Sequence, residues 1–255
     1  MPWNPEQYAR FDRPRLRPAL DLLSRLEGAD PRTIIDLGCG TGNVTRMIAD
    51  GFPAARVVIG VDNSPEMLEK ARGETSRVTW IEADVATWSH ERPVELLFSN
   101  ACLQWLPDHP RLFPHLARQV ASGGMMAVQM PRGRDMPSQV ILRELLRDGP
   151  WGNRLEGRLS TDWVLSGGEY YDLLSDTAQE VDIWEIDYLH VLDGEDAVFE
   201  WTKGTSLVPV FQTLEGEERD RFAEEYRRRL RQAYPRRGDG KTLFPFHRIF
   251  LVATI

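Results

Sequence analysis

Three carboxylates and a run of glycines stand where chemistry is easiest to read in this 255-residue chain. Asp36-Leu37-Gly38-Cys39-Gly40-Thr41-Gly42 puts glycines at alternate positions directly after an apolar stretch. A turn without side chains lets main-chain amides approach a ligand closely, and it aims the first N–H groups of a following helix at that ligand. Asp62 lies 20 residues beyond Gly42, at the end of the next apolar stretch, where a carboxylate can accept both hydroxyls of a ribose. Asp84, within Glu82-Ala83-Asp84-Val85, follows a third apolar stretch and can accept an amino proton of an adenine. A glycine turn that only packs helix on strand would need neither acid. The set describes a site for an adenosine-bearing ligand.

Such residues converge only if strands deliver them to one edge. Segments 33–37, 56–62, 78–81, 94–99 and 125–130 read as short apolar strands. Helices are expected at 43–50, after Ser64-Pro65-Glu66 and at 109–120, with Ser64 as cap and Pro65 at the first helical position. Two more precede them, at 6–10 and at 15–26, where Leu16, Leu20, Leu23 and Leu26 recur at helical spacing. Strand and helix in alternation predict an α/β, doubly wound, parallel sheet. Beyond Pro131 the rhythm loosens, with helices expected at 137–146, 169–176, 195–202 and 217–233 and strands at 181–192 and 246–253. The chain, 1–255, reads as a single domain. Segments 132–168 and 193–240 are expected to be insertions that build a substrate cap, and 1–30 a helical lid. Trp3 and Tyr8 on that lid either exclude water or anchor the terminus.

The loop also constrains the ligand's charge. Nicotinamide dinucleotide loops read G-x-G-x-x-G, whereas the third glycine here comes one residue early. Asp36 suits a cationic group and would repel a pyrophosphate. Both features favour S-adenosylmethionine over NAD, and a shift in melting temperature with one or the other ligand separates them. Asp36 through Gly42, Val61-Asp62 and Glu82-Ala83-Asp84 resemble the first three motifs of class I S-adenosylmethionine-dependent methyltransferases. The resemblance implies a Rossmann-like, seven-stranded, mostly parallel sheet whose last strand is antiparallel. It places Gly38, Gly40 and Gly42, with Asp36, at the amino-acid portion of the cofactor. Asp62 and the adjoining Asn63 then serve the ribose, Asp84 and the Val85 backbone the adenine, and Asn100 lies beside the methionyl group.

Later segments bear on the methyl acceptor. Leu103-Gln104-Trp105-Leu106-Pro107-Asp108-His109, Ala127-Val128-Gln129-Met130-Pro131, Tyr170-Tyr171-Asp172-Leu173-Leu174-Ser175 and Glu180-Val181-Asp182-Ile183-Trp184 resemble the trans-aconitate 2-methyltransferase family. The Gln-Trp segment is shared with other carboxyl methyltransferases, including those acting on a malonyl carrier protein. The resemblance implies a small polycarboxylate acceptor, and a carboxylate attacks a sulfonium methyl group without a general base. A carrier-bound malonyl group, another small acid, and a non-catalytic module that binds the cofactor stay open as alternatives. An acceptor of this kind needs donors and positive charge. The candidates are Gln129, Tyr171, His190, His247 and Arg248, with Trp105 as an apolar wall. Trp105 and Tyr171 can equally be packed aromatics, and Arg248 can equally sit in a structural ion pair. No residue is singled out as a catalytic acid or base. His109 and His115 read as helix-surface residues or substrate contacts.

Composition sets the outer bounds. A formal net charge of −8 argues against nucleic acid as partner. No apolar run is long enough for a bilayer, and the opening residues lack a signal-peptide pattern. Only two cysteines occur, which fits a cytoplasmic protein without a disulfide framework. The five histidines (His90, His109, His115, His190, His247) are scattered, so no metal is expected, and no obligatory protein partner is evident. Arg227-Arg228-Arg229-Leu230-Arg231 follows a run of acids, an order that complements a helix dipole and supplies i,i+4 pairs.

Overall fold

The computed structural model describes residues 13–155, 163–204 and 206–255. Its strands are β1 (Thr33–Leu37), β2 (Val57–Asp62), β3 (Thr79–Glu82), β4 (Val94–Asn100), β5 (Val120–Pro131), β6 (Glu180–Leu192) and β7 (Thr242–Thr254). They form one seven-stranded sheet in the order β3-β2-β1-β4-β5-β7-β6. Neighbours among β1 to β5 pair in parallel. Ile255 bonds to Gly123 and Gly124 at the start of β5, while His247 bonds to Arg132 just past its end. Partners that descend along β7 as they ascend along β5 make the last strand antiparallel. The architecture is the α/β, doubly wound sheet expected from the alternation, reversed final strand included.

The chain divides into two compact units, Met1–Pro131 with Trp163–Glu185 and Ile249–Ile255, and Arg132–Asp162 with Ile186–Arg248. In the first, Ile34, Ile35, Leu37, Leu96, Leu97 and Phe98 are fully buried, as expected for central parallel strands covered on both faces. The helix Pro65–Arg72 starts as the sequence predicts, with Ser64 Oγ accepting from Met67 N at 3.3 Å. The helix Gly167–Leu174 starts earlier than the expected residue 169. A reciprocal capping box between Ser166 and Glu169 recruits the two glycines as its first residues. The helix expected to reach 120 ends at Ala117, and β5 begins at Val120 rather than 125. Val120 pairs with Val94, and the register shifts before Met125 meets Leu96. Gly123 (φ 78°) and Gly124, which resemble a turn in sequence, are absorbed into this irregularity. A Cβ on Gly124 would lie 2.9 Å from the Glu95 carbonyl.

The second unit has its own core, in which Leu142, Leu145, Phe199, Phe222, Tyr226 and Leu230 come together. Tyr226 Oη donates to Ser138 O at 3.1 Å, and Ser138 N donates to Tyr234 Oη at 3.0 Å, so the helices Pro137–Asp148 and Gly216–Ala233 are joined by polar ties as well as packing. The basic run behaves as its order predicts. Glu225 accepts from Arg228 and Arg229 at 2.7–2.8 Å, and these two arginines hold its carboxyl down to about 2. The short helices Gly152–Leu155 and Val208–Thr213 were not expected; neither is long enough to display a period.

Candidate active site

The cofactor candidates Asp36, Gly38, Gly40, Gly42, Asp62, Asn63, Asp84, Val85 and Asn100 all belong to the first unit, at or just past the carboxyl ends of β1, β2, β3 and β4. Gly38 and Cys39 donate through their main chain to Val61 O at 2.8 and 3.0 Å, which draws the glycine loop onto the end of β2. Bulk is excluded here for steric reasons. A Cβ on Gly38 would lie 2.2 Å from Cys102, and one on Gly42 would lie 2.3 Å from the Trp80 ring; both glycines also have positive φ. Gly42 immediately precedes the helix Asn43–Gly51, whose amide end faces the loop.

Asp62 is locked by the loop it serves. Gly40 N donates to its Oδ2 at 2.8 Å and Ser64 N to its Oδ1 at 2.9 Å. Each oxygen keeps a second lone pair, so the carboxylate is oriented for a vicinal diol before any ligand arrives. Asp84 is exposed and anchored through Oδ1, which accepts from Ala86 N at 2.9 Å, and the next side chain, Val85, is buried in the core. Asn63 is exposed beside Asp62.

Two groups at this edge are costly unless a ligand meets them. Asp36 is 2% exposed, and its Oδ2 accepts from Thr45 Oγ1 at 2.5 Å. Burial pushes its carboxyl up to about 7; the Thr45 hydrogen bond lowers it and the charge of Asp62 raises it. Asn100 Oδ1 is buried and has no hydrogen-bond donor among the described residues. Next to it Ala101 holds φ 55°, a conformation L-residues rarely adopt, secured by its N–H to Gln129 O at 2.9 Å. A buried carboxylate and an orphan amide oxygen at the glycine edge suit an ammonium-bearing ligand, and Asp62 suits its ribose. The residues therefore fit S-adenosylmethionine. The thiols of Cys39 and Cys102 are raised chiefly by burial and further by the nearby aspartates, Cys102 to about 12, which leaves both as protonated, unreactive neighbours.

The acceptor candidates are placed unequally. In the first unit, Gln129 is fully buried in register with Asn100, Trp105 ends a 3-10 turn and is 46% exposed, and Tyr171 is 53% exposed. Trp105 is thus a surface aromatic and not part of the core. In the second unit, His190 stacks on Trp201 with ring centroids 4.6 Å apart. Arg248 is buried over the Phe246 ring at 4.9 Å, and burial lowers its guanidinium to about 10. His247, its chain neighbour, points to the opposite face of β7, where its Nδ1 meets Asp187 Oδ1 at 2.7 Å. Trp3 and Tyr8 lie outside the described residues.

Sequence reasoning missed several supports. His109 is neither a surface residue nor exposed to a substrate; it is buried, with Nδ1 2.6 Å from Tyr170 Oη and Nε2 3.0 Å from Leu103 O. Tyr170, adjacent to the candidate Tyr171, also accepts from Leu165 N at 3.2 Å. Thr45 is the i,i+9 partner of Asp36, a spacing with no sequence signature. Arg132 and Arg134 line a cavity with His247, and the signal was available: two arginines flanking a glycine directly after β5. Among the described residues there is no cluster of three or more His, Cys, Asp or Glu side chains fit to hold a metal.

Comparison with known proteins identifies the family and the fold. A family model described as a methyltransferase domain matches residues 34–124. Trans-aconitate 2-methyltransferase of Azoarcus sp. (strain BH72) is 43% identical over 251 residues, covering 98% of both chains. The Streptomyces coelicolor protein of the same name is 46% identical, over 98% of this chain and 86% of its own. Among solved structures, the YcgJ protein from Bacillus subtilis aligns over 93% of this chain and 97% of its own, with a TM-score of 0.61 at 15% identity. Haemonchus contortus phosphoethanolamine N-methyltransferase 2, solved with S-adenosylhomocysteine, aligns over 92% of this chain and 52% of its own, with a TM-score of 0.56 at 18% identity. The last two speak to fold.

Proposed function

The chain belongs to the trans-aconitate 2-methyltransferase family, and we propose from that premise that it methylates one carboxylate of trans-aconitate. The donor is S-adenosylmethionine, and the products are a monomethyl ester and S-adenosylhomocysteine. The observation that carries the acceptor is the extent of the likeness. It spans 98% of the chain, whereas the methyltransferase-domain model accounts for 34–124 alone.

When bound, S-adenosylmethionine supplies an electrophilic methyl group on a sulfonium centre. Asp62, with Asn63 beside it, takes the ribose hydroxyls; Asp84 and the Val85 backbone take the adenine. Gly38, Gly40 and Gly42 leave room for the methionine portion, and Asp36 and Asn100 accept from its ammonium group. A carboxylate with a reference pKa near 4 is already a nucleophile at neutral pH, so the chain has no proton to remove. Its task is alignment and exclusion of water. Gln129 supplies a donor to the acceptor, Tyr171 a hydroxyl, Trp105 an apolar wall and His247 positive charge; His190 and Arg248 are buried against Phe246 on the other face of β7.

The same reading takes a small soluble acid, not a nucleic acid or a membrane surface, as partner, supported by the net charge of −8. It needs no protein partner. No helix among the described residues is long and apolar enough to cross a membrane. We place the enzyme in the cytoplasm, supported by two free thiols. The direct test incubates purified protein with methyl-labelled donor and a panel of acids. Label in an ester of trans-aconitate is the expected result. Transfer only to another acid, or to a malonyl carrier protein, would overturn the assignment of the acceptor.

A further inference from the structure

Ala101 is one of two residues other than glycine, among those described, that hold positive φ. It follows Asn100 at the carboxyl end of β4 and is itself exposed. At φ 55° its Cβ crowds the carbonyl that follows, so the conformation persists only where neighbours impose it. Both main-chain polar groups of Ala101 are fixed. Its N–H donates to Gln129 O at 2.9 Å, and its carbonyl accepts from Gln104 Nε2 at 2.8 Å. The first bond is to the main chain of β5, where Gln129 stands in register with Asn100. The second comes from a side chain, and no role assigned above uses it.

Gln104 is 9% exposed and lies in the 3-10 turn Leu103–Trp105. The turn is held at each step. Trp105 N donates to Cys102 O at 3.0 Å and Leu106 N to Leu103 O at 2.9 Å. His109 Nε2, 3.0 Å from Leu103 O, donates to the same carbonyl, which leaves Nδ1 to accept from Tyr170 Oη at 2.6 Å. The Gln104 amide can face Ala101 only through its nitrogen, because a flipped amide would set two carbonyl oxygens against each other. Its Oε1 is then buried with no donor among the described residues. A side chain kept here for packing alone would be apolar, since an unmet amide oxygen is costly. One neutral hydrogen bond and the strain of one left-handed residue are of the same order, so this bond is strong enough to decide the conformation.

We infer that Gln104 is a positioning residue for the cofactor. By donating to Ala101 O it keeps Ala101 left-handed, which fixes the peptide after Asn100. The Asn100 amide is thereby directed at the methionine portion of S-adenosylmethionine. The inference rests on the role proposed above for Asn100. All of these residues belong to the first unit.

The experiment measures S-adenosylhomocysteine affinity by calorimetry in wild type, Gln104→Met, Ala101→Gly, Asn100→Ala and the pairs of Gln104→Met with each of the other two. Methionine keeps the length and burial of glutamine but has no donor for Ala101 O. Glycine adopts φ 55° without strain, so the side-chain bond becomes dispensable. Gln104→Met should raise Kd roughly 5- to 10-fold, the scale of one hydrogen bond. Ala101→Gly should stay within about twofold of wild type and bring the pair back to that range, which a packing role for Gln104 would not do. Added to Asn100→Ala, Gln104→Met should cost nothing further, because it acts through Asn100. Gln119→Met is the control and should bind as wild type does; it removes a glutamine bond to Trp88 O at the amino ends of β4 and β5. If Gln104→Met does not fold alone, its pair with Ala101→Gly decides: near wild-type affinity supports the inference, and failure to fold or weak binding overturns it. An unaltered Kd in Gln104→Met, a loss that glycine does not reverse, a further loss on top of Asn100→Ala, or an equal loss in Gln119→Met overturns the inference alone. Wild-type affinity in Asn100→Ala overturns the reading of Asn100 and the inference with it.

Discussion

Asp36 should make cofactor binding depend on pH, and the size of the effect follows from its burial. With a carboxyl raised to about 7, it is about one-tenth ionised at pH 6 and about nine-tenths at pH 8. A cationic ligand binds the ionised form, so the competent fraction of protein grows with pH. The apparent Kd for S-adenosylmethionine should then fall about tenfold between pH 6 and pH 8, or about 1.4 kcal/mol. The sign follows from linkage. The folded-state value lies above the unfolded one, so the empty protein loses stability as pH rises from about 4 toward 7, and the cofactor recovers that loss by meeting the charge. The ligand's own amine titrates in the same range, so each curve is read against Asp36→Asn, in which only the ligand titrates. Isothermal titration calorimetry in buffers of different ionisation enthalpy adds a count of protons released. Thr45→Val, which deletes the hydrogen bond that lowers Asp36, should shift the midpoint upward. Equal pH slopes in wild type and Asp36→Asn would refute the reasoning, because Asp36 would then be ionised, or protonated, throughout.

Asp62→Ala should weaken S-adenosylhomocysteine binding by 100-fold or more, about 3 kcal/mol for two charged hydrogen bonds, measured by calorimetry; wild-type affinity would mean the ribose lies elsewhere. Gly38→Ala should be much more damaging than Gly40→Ala in chemical denaturation, since a Cβ would meet Cys102 at 2.2 Å in the first case and nothing within 4 Å in the second. The second carries only the left-handed strain of about 1–2 kcal/mol. Tyr170→Phe removes a hydroxyl that meets both His109 and Leu165 and should cost about 1–3 kcal/mol of stability. His109 is held below its ordinary pKa, mainly by burial, so its stabilising share is present above about pH 6.5 and is lost as pH falls through the lower folded value. Denaturation midpoints that do not drop between pH 7 and pH 5 when wild type is compared with His109→Phe would contradict that.

The cofactor edge is legible in the sequence because its logic is local. Gly38 and Gly42 are demanded by backbone direction, and Ser64-Pro65 announces the helix that closes the ribose site. The acids at strand ends follow from strand length. What stays hidden depends on partners far apart in sequence. Nothing in the i,i+9 spacing of Asp36 and Thr45, or in the 61 residues between His109 and Tyr170, marks those pairs. Trp80 is likewise silent until the ring is seen to fill the space that a side chain at Gly42 or Gly60 would need. Tyr171 was open to a packed or a substrate role, and the structure shows that Tyr170 is the buried ring of the pair and Tyr171 the exposed one. β5 was shortened in prediction because a Gly-Gly pair signals a turn unless a neighbouring strand absorbs it.

The division of labour between the two units has an energetic consequence. Every residue assigned to the cofactor belongs to the first unit, whereas the acceptor candidates His190, His247 and Arg248 belong to the second. Each unit has its own buried cluster, so a substitution at the rim of one leaves the packing of the other intact. Effects of independently supported sites without shared partners add. Asp62→Ala combined with His247→Ala should therefore show the cofactor defect of the first and the acceptor defect of the second at close to their separate sizes. A coupling well above about 0.5 kcal/mol in that double-mutant cycle would mean that acceptor and cofactor are bound through a shared structural change. Additivity would mean that acceptor choice can be altered in the second unit while the donor site stays as it is.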